Sequence, residues 1–307
     1  MTAVPRLTVG LPVYNGEKYL AQSLDALLGQ TYDEFELVIS DNASTDGTER
    51  ICREYLARDP RIRYIRQPVN IGATPNHNFV FEQSHTELFK WASYDDLYGP
   101  KLLERCIQAL DGDHELVLAH AWEAIIDGDG EVLLTVDYPL ATDSPDPVER
   151  FRSMLFAVGG DDFYGVMRSD TLRRTPLHGS YHHADRTLMA ELALAGRFYQ
   201  VPEVLFFRRD HADRAERAKP TIRSRAANME PRRAHRLSNP TARLLAEYIG
   251  GFVGAIRRAP LSSAERRGCY AQLLRWVASR AVHRSSARIE DTVPRGHQQP
   301  LAEMRRR

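Results

Sequence analysis

The sequence predicts an α/β fold, a largely parallel sheet flanked by helices, followed by a helical extension. Short apolar runs alternate with amphipathic segments over the first hundred residues, and polar, turn-forming clusters follow the apolar runs. Beyond residue 211 the pattern changes to helices rich in alanine and arginine. Strand–helix alternation at this spacing favours right-handed crossovers, and such sheets bind ligands at the carboxyl ends of their strands.

The elements of the first hundred residues follow from hydrophobic periodicity. The predicted strands are apolar runs, namely Leu7–Leu11, Phe35–Ser40, Ile62–Ile65 and Leu88–Ala92. The predicted helices between them place apolar side chains on one face, and they span Glu17–Leu28, Thr48–Leu56 and Asn76–Glu82.

In the second hundred residues the sheet becomes mixed. Asp127-Gly128-Asp129-Gly130 is a strong hairpin signal, because Asp-Gly pairs accept the positive φ angles of tight turns. The predicted strands here are Leu116–Ala121, Ala124–Ile126, Val132–Leu134, Phe163–Met167, Phe198–Val201 and Val204–Phe207. The predicted helices are Leu102–Leu110, Pro147–Ala157, Ala184–Ala195, Thr241–Ile256 and Ser263–His283, followed by a disordered tail.

Charge is distributed unevenly along a chain of formal net charge zero. Residues 212–307 hold 21 Lys and Arg against 8 Asp and Glu, whereas residues 1–211 hold 20 against 33. We therefore divide the chain into a domain over 1–211 and a basic extension over 212–307. Such a basic region packs on the acidic body, spans a homodimer, or contacts an anionic membrane or a lipid-linked acceptor. No nucleic-acid recognition motif accompanies it, so no nucleic-acid partner is predicted.

The cellular compartment predicted from the sequence is the cytoplasm, with a peripheral contact at the inner face of the membrane left open. Cys52, Cys106 and Cys269 follow no metal-ligand spacing and are predicted to be reduced thiols. The first strand begins too early for a signal peptide, and no apolar run reaches the roughly 20 residues that span a bilayer.

Two adjacent carboxylates, Asp95 and Asp96, directly follow the apolar run Leu88–Ala92. Neighbouring acids at a strand end repel each other unless a cation lies beside them. Mg²⁺ commonly binds one or two carboxylates together with substrate phosphates. The alternative is a solvated turn, because Gly99-Pro100 follows shortly afterwards.

Two longer segments resemble the N-terminal signatures of glycosyltransferase family 2. They are Gly10-Leu11-Pro12-Val13-Tyr14-Asn15-Gly16-Glu17-Lys18-Tyr19-Leu20 and Glu36-Leu37-Val38-Ile39-Ser40-Asp41-Asn42-Ala43-Ser44-Thr45-Asp46-Gly47-Thr48. With the acidic pair and two later motifs, the likeness covers roughly residues 6–211. It implies a GT-A fold, a Rossmann-like mixed sheet, and transfer of a sugar from a nucleotide donor with inversion at the anomeric carbon.

The resemblance implies a donor site at the strand ends. Asp41 is placed to accept a hydrogen bond from a base N–H, which favours a UDP-sugar, although an Asx-turn is the alternative. Asp95 would contact ribose or water. The other implied donor-binding residues are Pro12, Val13, Tyr14, Asn70 and Gly72.

The resemblance also implies a metal site for Mn²⁺ or Mg²⁺. Asp96 is the implied direct ligand, and relatives often carry a third acid where this chain has Tyr94. His211, in the Arg209-Asp210-His211 segment, is implied to complete the metal shell or to contact a phosphate, as are Arg208 and Arg209.

The catalytic base implied by the resemblance is Asp185, in the segment Tyr181-His182-His183-Ala184-Asp185-Arg186. Ala184 replaces the first acid of the usual pair. Tyr164 and His183 are the implied acceptor contacts, with His182 as a further candidate, whereas core packing is the alternative for Tyr164.

The function predicted from the sequence is a metal-dependent, inverting glycosyltransferase of the hexosyltransferase type. Its partners would be a nucleotide-sugar donor and an acceptor hydroxyl of a glycan, glycolipid or natural product. The alternatives are a catalytically weak nucleotide-sugar-binding module and a nucleotidyltransferase on a similar sheet. The latter needs a Gly-rich basic loop after the first strand, and the chain has Pro12-Val13-Tyr14 there.

Overall fold

The computed structural model of the 307-residue protein describes residues 5–136, 140–156, 161–181, 183–214, 218, 221–235 and 240–283. Its strands are β1 Leu7–Val13, β2 Phe35–Asp41, β3 Ile62–Arg66, β4 Leu88–Trp91, β5 Leu97–Tyr98, β6 Leu116–Ile126, β7 Val132–Val136, β8 Val166–Arg168 and β9 Arg197–Arg209. Its α-helices are α1 Leu20–Leu28, α2 Thr48–Leu56, α3 Ala73–Glu82, α4 Leu102–Gly112, α5 Pro147–Phe156, α6 Ser169–Arg173, α7 Ala184–Ala195, α8 Ile222–Met229, α9 Thr241–Arg258 and α10 Ser263–His283.

The strands form one mixed sheet in the order β3-β2-β1-β4-β8-β6-β9-β5, and β7 pairs with β6. The β3-β2-β1-β4 half is parallel, as the alternation of strands and helices predicts. β8 runs antiparallel to β4 and β6, whereas β9 runs parallel to β6. The predicted α/β fold with a mixed sheet is therefore confirmed.

Two apolar layers cover the two faces of the sheet. One layer joins the inward face of α1 to β1, through the buried side chains of Leu20, Leu24, Leu27, Leu7, Val9 and Leu11. On the other face, α3, α5 and α7 pack with the helices of the C-terminal extension. The parallel strands β1, β2 and β4 are buried on both faces, which is why they are nearly continuous apolar runs in the sequence.

Three features of the strands differ from the prediction. The segments predicted as Leu116–Ala121 and Ala124–Ile126 join into β6, and Phe198–Val201 and Val204–Phe207 join into β9. Pro202 is accommodated in β9 because the register with β6 shifts between Val201 and Val204, where no ladder donor is required. The two-residue strand β5 is not predicted.

The predicted strand Phe163–Met167 is wrong in its first half. Asp161–Tyr164 forms a 3₁₀ turn, and β8 begins only at Val166. Gly165 N–H donates to Asp162 O at 2.9 Å, which closes the turn before the strand. A Cβ atom at Gly165 would lie 2.7 Å from Ala119 O, so this close approach to β6 depends on glycine.

The C-terminal helices complete the core of the body. Phe252 and Ile256 of α9 and Trp276 of α10 share one buried cluster with Phe151 of α5 and Leu188 of α7. Across the described ranges, no helix is long and apolar enough to cross a membrane. The predicted disordered tail, together with Ala157 and His182, lies outside the residues that the structure describes.

Candidate active site

The carboxyl ends of β1, β2 and β4 meet at one edge of the sheet. Val13 stands opposite Asp41 in the ladder between β1 and β2. Asn42 N–H donates to Val13 O at 2.8 Å, and Ala92 N–H donates to Gly10 O at 2.8 Å. The segments that follow these strands therefore lie side by side, as the sequence motifs predict.

The first of these segments presents one aromatic ring to solvent. Pro12 and Val13 are buried, whereas the Tyr14 side chain is 42% exposed. Val13 O already accepts the hydrogen bond from Asn42. Of the three residues predicted for donor binding here, Tyr14 is the one whose side chain is open to a ligand.

Asp41 is fully buried and held by its own neighbours. Its Oδ1 accepts from Ser44 N–H at 2.8 Å, and its Oδ2 accepts from Tyr64 Oη at 2.8 Å and from Arg66 Nη1 at 2.5 Å. Both carboxylate oxygens of Asp41 therefore accept hydrogen bonds from the protein. The hydrogen bond from Ser44 belongs to the local turn that is the alternative role predicted for Asp41.

Arg66 is a residue of this corner that the motifs do not reveal. Its side chain is 33% exposed and covers the buried carboxylate of Asp41 on the solvent side. Arg66 stands opposite Asp41 in the ladder between β2 and β3. The signal that points to it is its position at the end of the third predicted strand.

The Asn70–Gly72 loop is tied to the same edge by Asn42. The Asn42 amide donates to Asn70 Oδ1 and to Gly72 O, both at 3.1 Å. Gly72 has φ +96°, and a Cβ atom there would lie 2.5 Å from Met229 O, at the end of α8. The glycine thus allows the loop to touch the C-terminal extension.

Asp95 and Asp96 lie in two different environments. Asp95 Oδ2 lies 2.9 Å from His211 Nε2, and Ser93 Oγ donates to Asp95 Oδ1. Burial pushes the pKa of Asp95 upward, but the hydrogen bonds from His211 and Ser93 outweigh it and the pKa lies below its usual range. Asp96 is 1% exposed, and its Oδ1 accepts from Arg209 N–H at 2.8 Å.

His211 therefore pairs with Asp95 rather than with Asp96, the residue predicted to share the metal with it. Asp95 and His211 are each 8% exposed. His211 Nδ1 is buried without a hydrogen-bond partner among the described residues. Carboxylate oxygen and imidazole nitrogen are donors that Mn²⁺ accepts. Within the described ranges, no group of three or more His, Cys, Asp or Glu could hold a metal by itself.

Arg209 is a wholly buried brace of this corner. Its Nε donates to Asp95 O at 2.8 Å, and its Nη1 donates to Gly128 O at 2.9 Å. Its guanidinium carbon lies 4.6 Å from the centre of the Tyr19 ring, and that ring lies 4.9 Å from the ring of His211. All of these contacts of Arg209 are with other groups of the protein. Its buried position therefore does not fit the predicted role of contacting a phosphate. Arg208 donates to Glu123 instead.

Asp185 lies in the first turn of α7. His183, just before it, has a left-handed backbone with φ 59°. The charge of Asp185 acts on His178, whose pKa is lowered mainly by burial. The Trp91 ring stacks on Phe163 at 4.7 Å, and Phe163 lies 5.7 Å from His178. A run of rings therefore leads from the end of β4 to the segment before α7.

The two predicted acceptor residues differ in their surroundings. The Tyr164 ring packs against Phe163 at 5.3 Å and against Phe206 at 5.4 Å, and its carbonyl accepts from the buried Lys90. These contacts are those of a core residue, and stacking on a sugar stays a prediction. The His183 ring lies 5.8 Å from that of Tyr248 on α9.

The fold, together with the residues at the carboxyl ends of its parallel strands, defines the class of the protein. It has the architecture of two S. aureus TarS structures, residues 1–349 with UDP (TM-score 0.55) and the same residues with UDP-GlcNAc (TM-score 0.54), each with 16% identity and 95% of both chains covered. A mannosyltransferase from Pyrobaculum calidifontis, solved with GDP-Man and Mn²⁺, has a TM-score of 0.55 and 16% identity, and the match covers 94% of this chain and 77% of that one. The class is thus the GT-A fold predicted from the sequence.

Residues 8–160 match the model of glycosyl transferase family 2, and the chain belongs to that family. It is 33% identical over 112 residues to the putative glycosyltransferase EpsE of Bacillus subtilis (36% of this chain, 40% of that one). It is 32% identical over 127 residues to an uncharacterised glycosyltransferase of Rickettsia typhi (41% and 39%), and 30% identical over 130 residues to the chondroitin synthase of Escherichia coli (42% and 19%). The chain spans about two fifths or less of the length of these relatives.

Proposed function

We propose that this protein transfers a sugar from a nucleoside diphosphate sugar, a UDP-sugar in the first instance, to an acceptor hydroxyl with inversion at the anomeric carbon. The observation that carries the proposal is that the base-side corner, Asp41 with Arg66, and the acidic corner, Asp95 with His211, lie at the carboxyl ends of β2 and β4, the two parallel strands that flank β1. Neighbouring structures of this fold hold UDP, UDP-GlcNAc and GDP-Man. Nucleotides bind at this edge of open α/β sheets.

On the donor side, different side chains contact different parts of the nucleotide. Tyr14 offers an exposed ring to the base, and the partly exposed Arg66 offers N–H donors to its carbonyl oxygens. Asp41 keeps Arg66 in position through the short ion pair between them. Asn70 and Gly72 shape the loop beside this corner, so their predicted donor-binding role is indirect in this proposal.

Asp95 and His211 would hold the divalent cation, Mn²⁺ or Mg²⁺, and Asp96 would orient the corner through the Arg209 backbone. A pair of protein ligands suits a cation whose remaining positions are filled by the donor diphosphate and water. When bound, such a cation offsets the charge that develops on the departing diphosphate. Asp95 Oδ2 and His211 Nε2 face each other at 2.9 Å, and these are the two atoms that would hold the cation.

Asp185 would act as the general base. Its carboxylate accepts the proton of the acceptor hydroxyl as that oxygen forms a bond to the anomeric carbon. The bond between the anomeric carbon and the diphosphate oxygen breaks on the opposite face, and the nucleoside diphosphate departs. Attack from the face opposite the leaving group produces inversion.

A panel of UDP-, GDP- and dTDP-sugars tests the proposal, with Mn²⁺ present or replaced by EDTA. We expect a UDP-sugar to raise the melting temperature in the presence of Mn²⁺ and to be hydrolysed slowly. Asp95→Asn and His211→Ala should each require at least about tenfold more Mn²⁺ for half-maximal effect. Asp33→Asn, an exposed acid before β2, is the matched control and should behave as wild type. If no nucleotide sugar binds or is hydrolysed, the proposal is wrong.

A further inference from the structure

The loop between β4 and β5, which carries Asp95, is held by the hydroxyl group of Tyr98. Tyr98 Oη accepts a hydrogen bond from Ser93 N–H at 2.7 Å and donates one to Ser93 O at 2.9 Å. Ser23 Oγ of α1 donates to the same carbonyl at 2.8 Å. Both backbone polar groups of Ser93 are therefore bound by side chains, which fixes the backbone of the loop at this residue.

The side chain of Ser93 contacts the acidic corner. Ser93 Oγ donates to Asp95 Oδ1, whereas Asp95 Oδ2 lies 2.9 Å from His211 Nε2. The two carboxylate oxygens of Asp95 thus differ, because one is bound by a hydroxyl group and the other faces the second proposed ligand. Asp95 is buried, so solvent has little access to replace the hydroxyl group at Oδ1.

The short strand β5 connects this loop to the strand that leads to His211. Tyr98 stands opposite Phe206 in the antiparallel ladder between β5 and β9. β9 ends shortly before His211. The positions of Asp95 and His211 therefore both depend on the pairing of β5 with β9, although the two residues are distant in sequence.

A buried ammonium group lies against the ring of Tyr98. Lys90 is fully buried, and its Nζ lies 4.9 Å from the centre of the Tyr98 ring. The same Nζ donates to Trp91 O at 3.2 Å and to Tyr164 O. A cation over an aromatic face is attracted by the quadrupole of the ring. Lys90 and Tyr98 therefore hold each other in place beside the loop.

The way in which Asp95 is held affects which cation the acidic corner can bind. Ca²⁺ takes about six to eight oxygen ligands and can bind both oxygens of one carboxylate, whereas a smaller cation such as Mg²⁺ requires near-octahedral geometry. Imidazole nitrogen is a ligand of transition metals rather than of Ca²⁺. A carboxylate whose Oδ1 is bound by Ser93 offers a cation one oxygen, and His211 offers a nitrogen.

We propose that Ser93, held in place by Tyr98, keeps Asp95 a one-oxygen ligand and thereby makes the acidic corner select Mn²⁺ over Ca²⁺, a role that rests on the proposed function. Ser93 and Tyr98 are positioning residues, because they act through Asp95 and are not ligands themselves. Loss of the Ser93 hydroxyl group releases Asp95 Oδ1, so that Ca²⁺ can bind both oxygens and the preference for Mn²⁺ falls.

Direct binding of the metal ions to the full chain with UDP tests the inference, with UDP alone as the blank. Free Mn²⁺ is measured by electron paramagnetic resonance, and Ca²⁺ is added as the competitor. We expect the wild-type chain to bind Mn²⁺ and to require an excess of Ca²⁺ for half-displacement. Ser93→Ala should reduce that excess about tenfold, within the range found when residues that orient metal ligands are changed. Tyr98→Phe should reduce it by a smaller factor.

Two matched controls separate this role from a general loss of structure. Ser84→Ala removes a buried hydroxyl group that bonds with Thr8, near the start of β1. Tyr55→Phe removes a hydroxyl group that donates to Ala21 O at 3.1 Å. Both variants should keep the wild-type ratio of Mn²⁺ to Ca²⁺ affinity. Ser93→Thr keeps a hydroxyl group and should retain most of the preference. A variant that is only less well folded would bind both ions more weakly and leave the ratio unchanged.

An unchanged ratio in Ser93→Ala would overturn the inference, and so would an equal change in Ser84→Ala. A wild-type chain that binds Mn²⁺ no better than Ca²⁺ would overturn it as well. The two proposals fail separately. Hydrolysis of a nucleotide sugar by a chain whose ratio is unaffected by Ser93→Ala refutes this inference alone. Selective Mn²⁺ binding by a chain that neither binds nor hydrolyses any nucleotide sugar refutes the proposed function.

Discussion

The donor side and the acceptor side of the candidate site are built in different ways. On the donor side, Asp41 and Asn42 lie at the end of β2 and Asp95 follows β4, and their side chains hydrogen-bond to residues in or shortly after β2, β3, β4 and β9. On the acceptor side, Asp185 lies at a helix start that packs against α9, far along the chain, where the ring of Tyr248 lies 5.8 Å from that of His183. The difference shows that one half of the site depends on the sheet and the other half depends on the docking of the extension.

This contrast predicts that variants of the two sides will have separable effects. Changes on the donor side should alter nucleotide and metal binding, because those residues are tied to the strand ends. Changes on the acceptor side should alter transfer while leaving UDP binding intact. The first of four experiments tests that division directly, and the other three test the packing that supports the two sides; they are ordered by the size of the expected effect.

Asp185→Asn should have the largest effect, a loss of about 10³-fold in the transfer rate, within the range found for general bases. UDP binding should remain unchanged, since the donor corner is elsewhere. Transfer kinetics and calorimetric titration with UDP measure the two quantities. Asp170→Asn, an exposed acid in the first turn of α6, is the control. Persistent transfer by Asp185→Asn would show that another group takes the proton.

Arg209→Met should lower the free energy of unfolding by about 3 kcal/mol, because it leaves the buried carbonyls of Asp95 and Gly128 without their donor. Urea denaturation measures this value. The control, Arg50→Met, removes an exposed pair with Glu54 and should cost less than about 0.5 kcal/mol. A similar small loss in both variants would contradict the role of Arg209 as a brace.

Acid should destabilise the protein through His77, which lies between the end of β4 and the segment before α7. Burial, with a contribution from His178, lowers the pKa of His77 to about 4. Between about pH 6.5, the ordinary pKa of histidine, and pH 4 the unfolded chain binds a proton that the folded chain does not bind. The free energy of unfolding should therefore fall as the pH falls through that window, by up to about 3 kcal/mol for this residue.

The His77→Phe variant should reduce the slope of unfolding free energy against pH in that window. The exposed His85 offers the matched control, because His85→Phe should leave the slope unchanged. Urea denaturation at several pH values supplies the comparison. Equal slopes in wild type and His77→Phe would assign the acid sensitivity to other groups.

Gly72→Ala should have the smallest effect of the four, a loss of about 1 to 3 kcal/mol, since φ +96° is a region that alanine rarely adopts. The added methyl group would also meet Met229 O, which joins the donor-side loop to α8. Thermal denaturation gives the change. Gly112→Ala, where nothing lies within 4 Å of the added atom, should be nearly neutral. If Gly72→Ala left the stability unchanged, the contact between the donor-side loop and α8 would contribute nothing to the stability.

Local sequence patterns were sufficient for most of the fold. Helices α2, α7 and α10 begin and end at the predicted residues, because their apolar faces repeat with helical spacing. Strands β6 and β9 were each predicted as two segments, since Trp122-Glu123 interrupts the apolar run in β6 and Pro202-Glu203 interrupts it in β9. The 3₁₀ turn before β8 was missed because an apolar run of aromatic residues is compatible with either conformation.

Sequence patterns alone establish the parallel half of the sheet, the family and the position of the acidic motif at a strand end. These depend on short-range periodicity and on motifs whose residues are close together in the chain. Three-dimensional packing was needed to bring His211 to Asp95 rather than Asp96, to pair Arg66 with Asp41, and to bring Tyr248 of α9 to His183 at the beginning of α7. The physical reason is that such contacts join segments distant in sequence, and the packing of sheet and helices determines which side chains meet.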